Sequence, residues 1–367
     1  AQLPVSAFAL NGGMTFAGLN GNNGNLYNTP KNNFMPRVGF AYQLNDRTVF
    51  RGGYGIFAGF LGQRRGDVQQ NGFSQNTSMV LTKDSGLHWL TTLANPFPDG
   101  VSEARGAADG YQTYLGQGFT YFNQNPKLPV TNRWEVSLQR QLHGFVFEGA
   151  YVGSKTNHIE VTRNINALPG QYLSTMRTRD DTWNNYLSAS ISNPMYGLVP
   201  GNTQGTYTST TISRQTLLSP FPAFGSNAIN GTENTGFSWY HGLQLTAQRR
   251  FSKGYTVSTS YTYAKWMQAV NLLNASDPAP LREISDSDAP HRINISGVWS
   301  LPFGKGHKLL GGAGGVMDRL VGGWEVSGIW SIQSGFPLPW GNVIDYGDPK
   351  DILLPVGQRS VDHWFNI

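Results

Sequence analysis

Phe237-Ser238-Trp239-Tyr240-His241-Gly242-Leu243-Gln244-Leu245-Thr246-Ala247-Gln248 opens the stretch that decides the fold, and that stretch runs on to Tyr263. Its side chains alternate. Phe237, Trp239, Leu243, Leu245 and Ala247 fall on one face; Ser238, Tyr240, Gln244, Thr246 and Gln248 fall on the other. After Ser252-Lys253-Gly254 the pattern resumes, with Tyr255, Val257, Tyr261 and Tyr263 opposed by Thr256, Ser258, Ser260 and Thr262. Successive side chains of a strand point to opposite faces, so period two means a hairpin with one greasy and one wet face. Long hairpins rimmed with Tyr and Trp are what a transmembrane β-barrel requires.

The same unit recurs along the chain. Phe34–Leu44 pairs with Arg47–Phe57 across Asn45-Asp46, and Arg133–Leu142 with Phe145–Gly153 across His143-Gly144. His291–Leu301 pairs with Gly323–Gln333 through a Gly-rich connection from Pro302 to Gly322. Asn, Asp and Gly suit tight turns because they tolerate positive φ. Long stretches rich in Gly, Asn, Thr, Ser and Pro separate the hairpins: about 58–132, 155–236, 267–290 and from 334 onward. Compact soluble domains rarely carry such loops. Short connections alternating with long ones suit an outer-membrane barrel, with short turns on the periplasmic side and long loops outside. Ser74–Leu81 and His158–Arg163 also alternate and read as strand extensions above the membrane.

Composition agrees. Charged residues are 13% of the 367, about half the usual share for soluble domains, while aromatics also reach 13%. The mean hydropathy of −0.34 is too low for a helical membrane protein, and no run of about 18 apolar residues occurs. A barrel reconciles these values, because half of each strand faces a polar lumen. The absence of cysteine excludes disulfides and thiolate metal sites. A net charge of +5 is small for the length, and only Arg64-Arg65 and Arg249-Arg250 cluster, so no nucleic-acid surface is expected. The opening Ala1-Gln2-Leu3-Pro4 is no signal peptide, and Val361–Ile367 does not read as a closing strand; a section of a longer protein is expected.

Motifs for chemistry are weak. Gly53-Tyr54-Gly55 with Gly59 lacks dinucleotide spacing and a following helix. Gly304-Lys305-Gly306 lacks the pattern of a phosphate loop and reads as a turn. Asp286, Asp288 and His291, with Glu283 and Asp277, form the densest ionisable cluster. Such spacing could hold a cation, but a polar loop entering a strand, with Asp288 or His291 pairing with Arg292, explains it as well. No zinc-ligand pair and no nucleophile elbow is present, so neither a metal, a cofactor nor a catalytic residue is assigned. Trp134, Trp239, Trp266, Trp299, Trp324 and Trp330 lie in or near strands and suit membrane-interface anchoring. Trp89, Trp183, Tyr186, Trp340 and Tyr346 lie in outer loops, where packing competes with a role in gripping a sugar or peptide.

Several strings resemble, in order, the barrel region of TonB-dependent outer-membrane receptors of the Oar-like type. They are Asn33-Phe34-Met35-Pro36-Arg37-Val38-Gly39-Phe40-Ala41-Tyr42, Arg51-Gly52-Gly53-Tyr54-Gly55-Ile56-Phe57, Tyr240-His241-Gly242-Leu243-Gln244-Leu245, Ser260-Tyr261-Thr262-Tyr263-Ala264-Lys265 and Asp288-Ala289-Pro290-His291-Arg292, leading to Leu301-Pro302-Phe303-Gly304-Lys305-Gly306. The resemblance implies a barrel of about 22 strands plugged by an N-terminal domain and energised by the inner-membrane TonB complex. It implies an extracellular ligand bound by outer loops and passed inward as the plug moves. No TonB box, plug or closing strands are visible in residues 1–367, so the resemblance carries over architecture and not a ligand site.

The expected fold is therefore all-β, a section of a large antiparallel transmembrane barrel in the bacterial outer membrane, in contact with its lipid. Strand parity assigns Arg37, Arg51, Arg133, Glu135, Gln139, Gln244, Gln248, Arg292 and Glu325 to the lumen. Trp89, Trp183 and Tyr186 are the loop candidates for ligand contact. The competing functions are a porin-like channel or barrel-anchored adhesin, a soluble secreted carbohydrate-binding or hydrolytic β-protein, and an outer-membrane enzyme using Asp288 and His291. The soluble reading predicts that the Trp239/Leu243/Leu245 face packs against a second sheet.

Overall fold

A computed structural model describes residues 12–60, 71–121, 123–252, 254–312, 314–339 and 348–366. The termini, Arg64-Arg65, Lys253, Trp340 and Tyr346 lie outside the described residues. Alternation becomes an antiparallel meander of eight long strands: β1 (Arg37–Asn45), β2 (Thr48–Ala58), β3 (Val130–Leu142), β4 (Phe145–Asn164), β5 (Ile229–Ser252), β6 (Tyr255–Asn271), β7 (His291–Ser300) and β8 (Glu325–Gln333). Each pairs with its neighbours in chain order. Among the described residues β1 and β8 have one partner each, so the sheet is open at both edges. The chain thus forms a section of a transmembrane barrel wall, with its tight turns at one end and its long loops at the other.

The turns follow their residues. His143 and Gly144 have φ of 50° and 80°, the conformation a two-residue hairpin turn needs. The first turn lies at Asp46-Arg47, one residue beyond the expected Asn45-Asp46, because the Asn45 carboxamide accepts from the Arg47 N–H at 3.1 Å. The connection from Pro302 is not a plain loop. It turns at Gly304, where His307 N–H donates to the Gly304 carbonyl at 3.0 Å, and then forms a short helix (Gly315–Val321) packed beneath Trp324, whose indole donates to the Leu320 carbonyl at 2.8 Å.

Register fixes the faces. One row reads Tyr42, Phe50, Leu138, Gly149, Leu245, Tyr261, Ile293 and Ile332 across all eight strands. The next reads Ala41, Arg51, Ser137, Ala150, Gln244, Thr262, Arg292 and Gln333. The first face is apolar and the second polar. Aromatic residues mark both ends of the apolar face: Trp134, Trp239 and Phe237 toward the loops, Tyr255 and Trp299 toward the turns. From Tyr255 to Lys265 β6 rises roughly 33 Å at about 3.3 Å per residue. At a tilt of about 40° that is roughly 25 Å, the height of a barrel's lipid-facing band.

No second sheet covers the apolar face among the described residues. Leu243 and Leu245 are each 43% exposed and Val326 56%. The sandwich that a soluble β-protein needs is not formed. The remaining sheet is a two-stranded ribbon, Ser190–Ser192 with Thr211–Ser213, in the β4–β5 loop.

Packing is tightest in the loops. β4 and β5 run 20 and 24 residues, about twice what crosses a bilayer, so their far ends stand clear of it. His158–Arg163 belongs to this extension, as expected, whereas Ser74–Leu81 forms no strand; it has no neighbour to complete a ladder, and Met79, Val80 and Leu81 stay 50%, 46% and 48% exposed. Around the raised ribbon the 71–121 and 165–228 segments fold into a cap. Its centre is Phe224, Ala223 and Ile229, with Phe119 and Tyr121 against them. Phe119-Thr120 pairs in parallel with Ile229-Asn230. Asparagines stitch the rest: Asn166 donates to the Gly225 and Asn227 carbonyls at 3.0 Å each, Asn193 to Thr206 and Ser209 at 2.9 and 2.7 Å, and Asn227 to Gly116 and Phe224 at 2.8 Å each. A helix absent from the sequence reading, α1 (Asp181–Ser188), is capped by Asp180, which accepts from Trp183 N–H at 3.0 Å.

Candidate functional site

The strands place all nine lumen candidates on the polar face, since each belongs to the parity of Arg51 and Gln244. Arg37, Arg51, Arg133 and Glu135 line one groove of about 890 Å³ toward the loop end, floored by Gly39, Gly53 and Gly55. Missing side chains on that floor leave the room. The ring of Phe57 takes two guanidinium groups, Arg37 at 4.6 Å and Arg133 at 5.4 Å. Such contacts offset part of the repulsion between like charges. Arg51 donates to the Gln139 carboxamide, and Arg292 to that of Gln333 at 2.8 Å. Glu325 accepts from the Ser300 hydroxyl at 2.8 Å. Gln244 and Gln248 lie further along the face and Arg292 and Glu325 at its far side, so the structure does not gather all nine into one site.

The loop aromatics behave differently. Trp183 and Tyr186 stack at 5.1 Å on α1; Trp183 donates its indole N–H to the Tyr172 carbonyl at 2.7 Å, and Arg214 lies 3.8 Å from the Tyr186 ring. Their faces are used in internal packing. Trp89 sits on another loop and is 73% exposed.

A second cavity, which the sequence did not reveal, lies within the cap. It has about 930 Å³ and is walled by Phe16, Phe73, Phe119, Tyr121, Phe221 and Phe224, with Asn25, Asn71, Asn123, Gln124, Thr232 and Glu233 among its polar groups. Three connecting segments, those before β1, between β2 and β3, and between β4 and β5, supply these residues together with the raised end of β5, which carries Thr232 and Glu233. Among the described residues Glu233 is the one charged residue in the lining, and it is held by Arg163 at 2.8 Å. Arg163 also donates to the Ala275 and Asp277 carbonyls, both at 2.7 Å, tying the raised ribbon under the cap to the β6–β7 loop. Burial, and then Glu233, push the Tyr121 phenol above its ordinary 10.0, so it stays a neutral donor.

The Asp286, Asp288 and His291 cluster does not converge. Asp288 is buried and accepts from the Trp266 N–H at 2.7 Å, with Lys265 at 3.9 Å. His291 Nδ1 meets the Tyr261 hydroxyl at 2.9 Å, and Glu283 accepts from Asn271 at 2.9 Å. The expected pairing of Asp288 or His291 with Arg292 is replaced by these contacts, because strand parity turns Arg292 to the face opposite His291. Among the described residues no three His, Asp or Glu side chains could hold a metal ion.

Residues 2–366 match the family described as outer membrane beta barrel domain. The chain belongs to that family. An outer membrane beta barrel domain resides in the bacterial outer membrane, in keeping with the two-faced strands. No curated protein matches the sequence. Among solved structures, the siderophore receptor PirA from Acinetobacter baumannii is 12% identical with a TM-score of 0.35, over 82% of this chain and 34% of that one. The alcaligin outer-membrane receptor FauA from Bordetella pertussis is 12% identical with a TM-score of 0.33, over 83% and 30%. The outer-membrane transporter YddB from Escherichia coli is 11% identical with a TM-score of 0.34, over 73% and 26%. The chain spans about a quarter to a third of the length of these proteins.

Proposed function

We propose that this chain supplies eight strands of a TonB-dependent receptor barrel of the Oar-like type, whose plug and remaining strands, about 22 in all, belong to the complete protein. The apolar face meets lipid. The polar face, with Arg37, Arg51, Arg133, Glu135, Gln139, Gln244, Gln248, Arg292 and Glu325, borders the lumen. The cap binds an extracellular ligand, which passes inward when the TonB complex moves the plug. The observation that carries this reading is the pairing of an open sheet, wet on one side only, with a folded cap above it that encloses a cavity.

The ligand seat in this reading is the cap cavity and not Trp183 and Tyr186, whose rings are already packed against each other and Arg214. Among the described residues no lysine or arginine lines the cavity, and aromatic faces alternate with amides and one carboxylate. That chemistry suits a neutral ligand with stackable rings and many hydroxyls, such as an oligosaccharide, better than an anionic chelate. The full-length protein in a planar bilayer tests the transport reading. It is expected to carry no steady current until the region ahead of the barrel is deleted. A steady current from the intact protein would establish the porin-like alternative instead.

A further inference from the structure

We propose that the apolar face carries a seat for the phosphorylated headgroup of an outer-leaflet lipid, formed by Lys155, His241 and Arg282 among Trp134, Phe237 and Trp239. These six residues line a shallow cavity of about 320 Å³. Register puts the five that belong to β3, β4 and β5 on the apolar side: Trp134 shares a row with Gly153 and His241, Lys155 pairs with Trp239, and Phe237 follows one step beyond. Arg282 arrives from the short strand Leu281–Ile284, added to the loop end of β6.

Its height is the first argument. The rows just below, through Phe40, Val136, Tyr151, Leu243 and Tyr263 and then through Tyr42, Leu138, Leu245 and Ile332, hold no Asp, Glu, Lys or Arg. Hydrocarbon ends where the cations begin, and indoles sit at that level, as they do at membrane interfaces. Charge is the second argument. Lys155 and Arg282 gather beside His241, no carboxylate lines the cavity among the described residues, and neither Lys155 nor Arg282 takes part in an ion pair among them. Arg282 lies 5.6 Å from the Phe237 ring, and the Tyr151 hydroxyl holds His241 Nδ1 at 2.7 Å. Gathered cations repel unless an anion lies between them. A phosphate provides several acceptors for guanidinium and ammonium donors. A lipid is favoured over a free anion because its acyl chains would continue onto Leu243 and Tyr263.

The seat rests on the assignment of the apolar face to lipid. Native mass spectrometry of the full-length protein in detergent tests it with three probes: diphosphorylated lipid A, the same lipid stripped of phosphate, and inorganic phosphate. One lipid A is expected to be retained, and Lys155→Ala with Arg282→Ala to lower retention about tenfold or more, the scale of lost hydrogen bonds to a charged group. The stripped lipid should be retained no better than by the variant. Should the double variant lose its heat-modifiable band, Lys155→Gln alone is expected to show a several-fold loss. Equal retention by wild type and variant, or equal retention of the stripped lipid, overturns the seat while leaving the face assignment intact. Retention of neither lipid overturns the seat and counts against the face assignment. Full competition by inorganic phosphate would make it a free-anion site and overturn the lipid.

Discussion

Trp134 covers Gly153 directly across the β3–β4 ladder, so closely that a Cβ on Gly153 would stand 2.3 Å from Trp134 Cε2. The glycine is there because the indole needs its space, an arrangement in which an aromatic side chain shields a strand glycine. Gly153→Val should therefore displace Trp134 and destabilise the assembled barrel by about 1–3 kcal/mol, the cost of overpacking. Thermal unfolding of the full-length protein in detergent measures it, and an unchanged transition would contradict the account.

Asp288 should be structural. Its buried carboxylate satisfies the Trp266 N–H at 2.7 Å where the β6 strand meets the β7 entry. Asp288→Ala leaves that N–H unpaired and should cost about 1–3 kcal/mol, while Asp288→Asn, which still offers an oxygen, should cost clearly less. Equal unfolding temperatures for the two variants would refute this.

Arg163 should brace the raised ribbon on which the cap folds. It bonds Glu233 and two carbonyls of the β6–β7 loop. Arg163→Ala should speed protease cleavage within 165–228 severalfold while leaving the heat-modifiable band of the barrel unchanged, since the membrane ladders do not use it. Cleavage at the wild-type rate would show that the cap holds itself.

The loop around Asp84 should respond to acid. The Thr82 hydroxyl, then the His88 backbone N–H and side chain, hold the Asp84 carboxyl down at about 2 from an ordinary 3.8. A depressed value means the turn gains stability above pH 3.8 and loses it as the pH falls toward 2. The protection of the Leu87 and His88 amides relative to their intrinsic exchange rates, where both N–H groups donate to Asp84 at 3.1 and 3.0 Å, should hold at neutral pH and fall only below about pH 4. Protection that persists unchanged down to pH 2 would contradict this.

The absence of cysteine makes the faces directly testable. A fluorophore on Leu243→Cys should be quenched by a lipid-soluble quencher, and one on Gln244→Cys by a water-soluble one. The reverse pattern would turn the barrel inside out.

How much the sequence disclosed follows from what periodicity can encode. The ladder from Tyr42 to Ile332 was legible because each strand carries its own alternation, and neighbouring patterns fit in only one register. The cap was not, because Asn166, Asn193 and Asn227 hold it by side-chain bonds to backbone carbonyls, which leave no period. Helix α1 did leave a trace in Asp180-Asp181 ahead of Trp183, a capping residue with an acidic first turn. The cap cavity could not be read at all, since Phe16, Phe73 and Phe221 lie far apart along the chain and meet only after folding.

The two unpaired borders of the sheet have a consequence for biogenesis. In hydrocarbon, every N–H and C=O along β1 and β8 without a partner costs several kcal/mol, so an eight-strand ribbon has no resting place there by itself. Neighbouring staves must zip onto both sides while the ribbon enters the bilayer. In the complete barrel proposed above, closure of the wall and entry into the bilayer are therefore coupled.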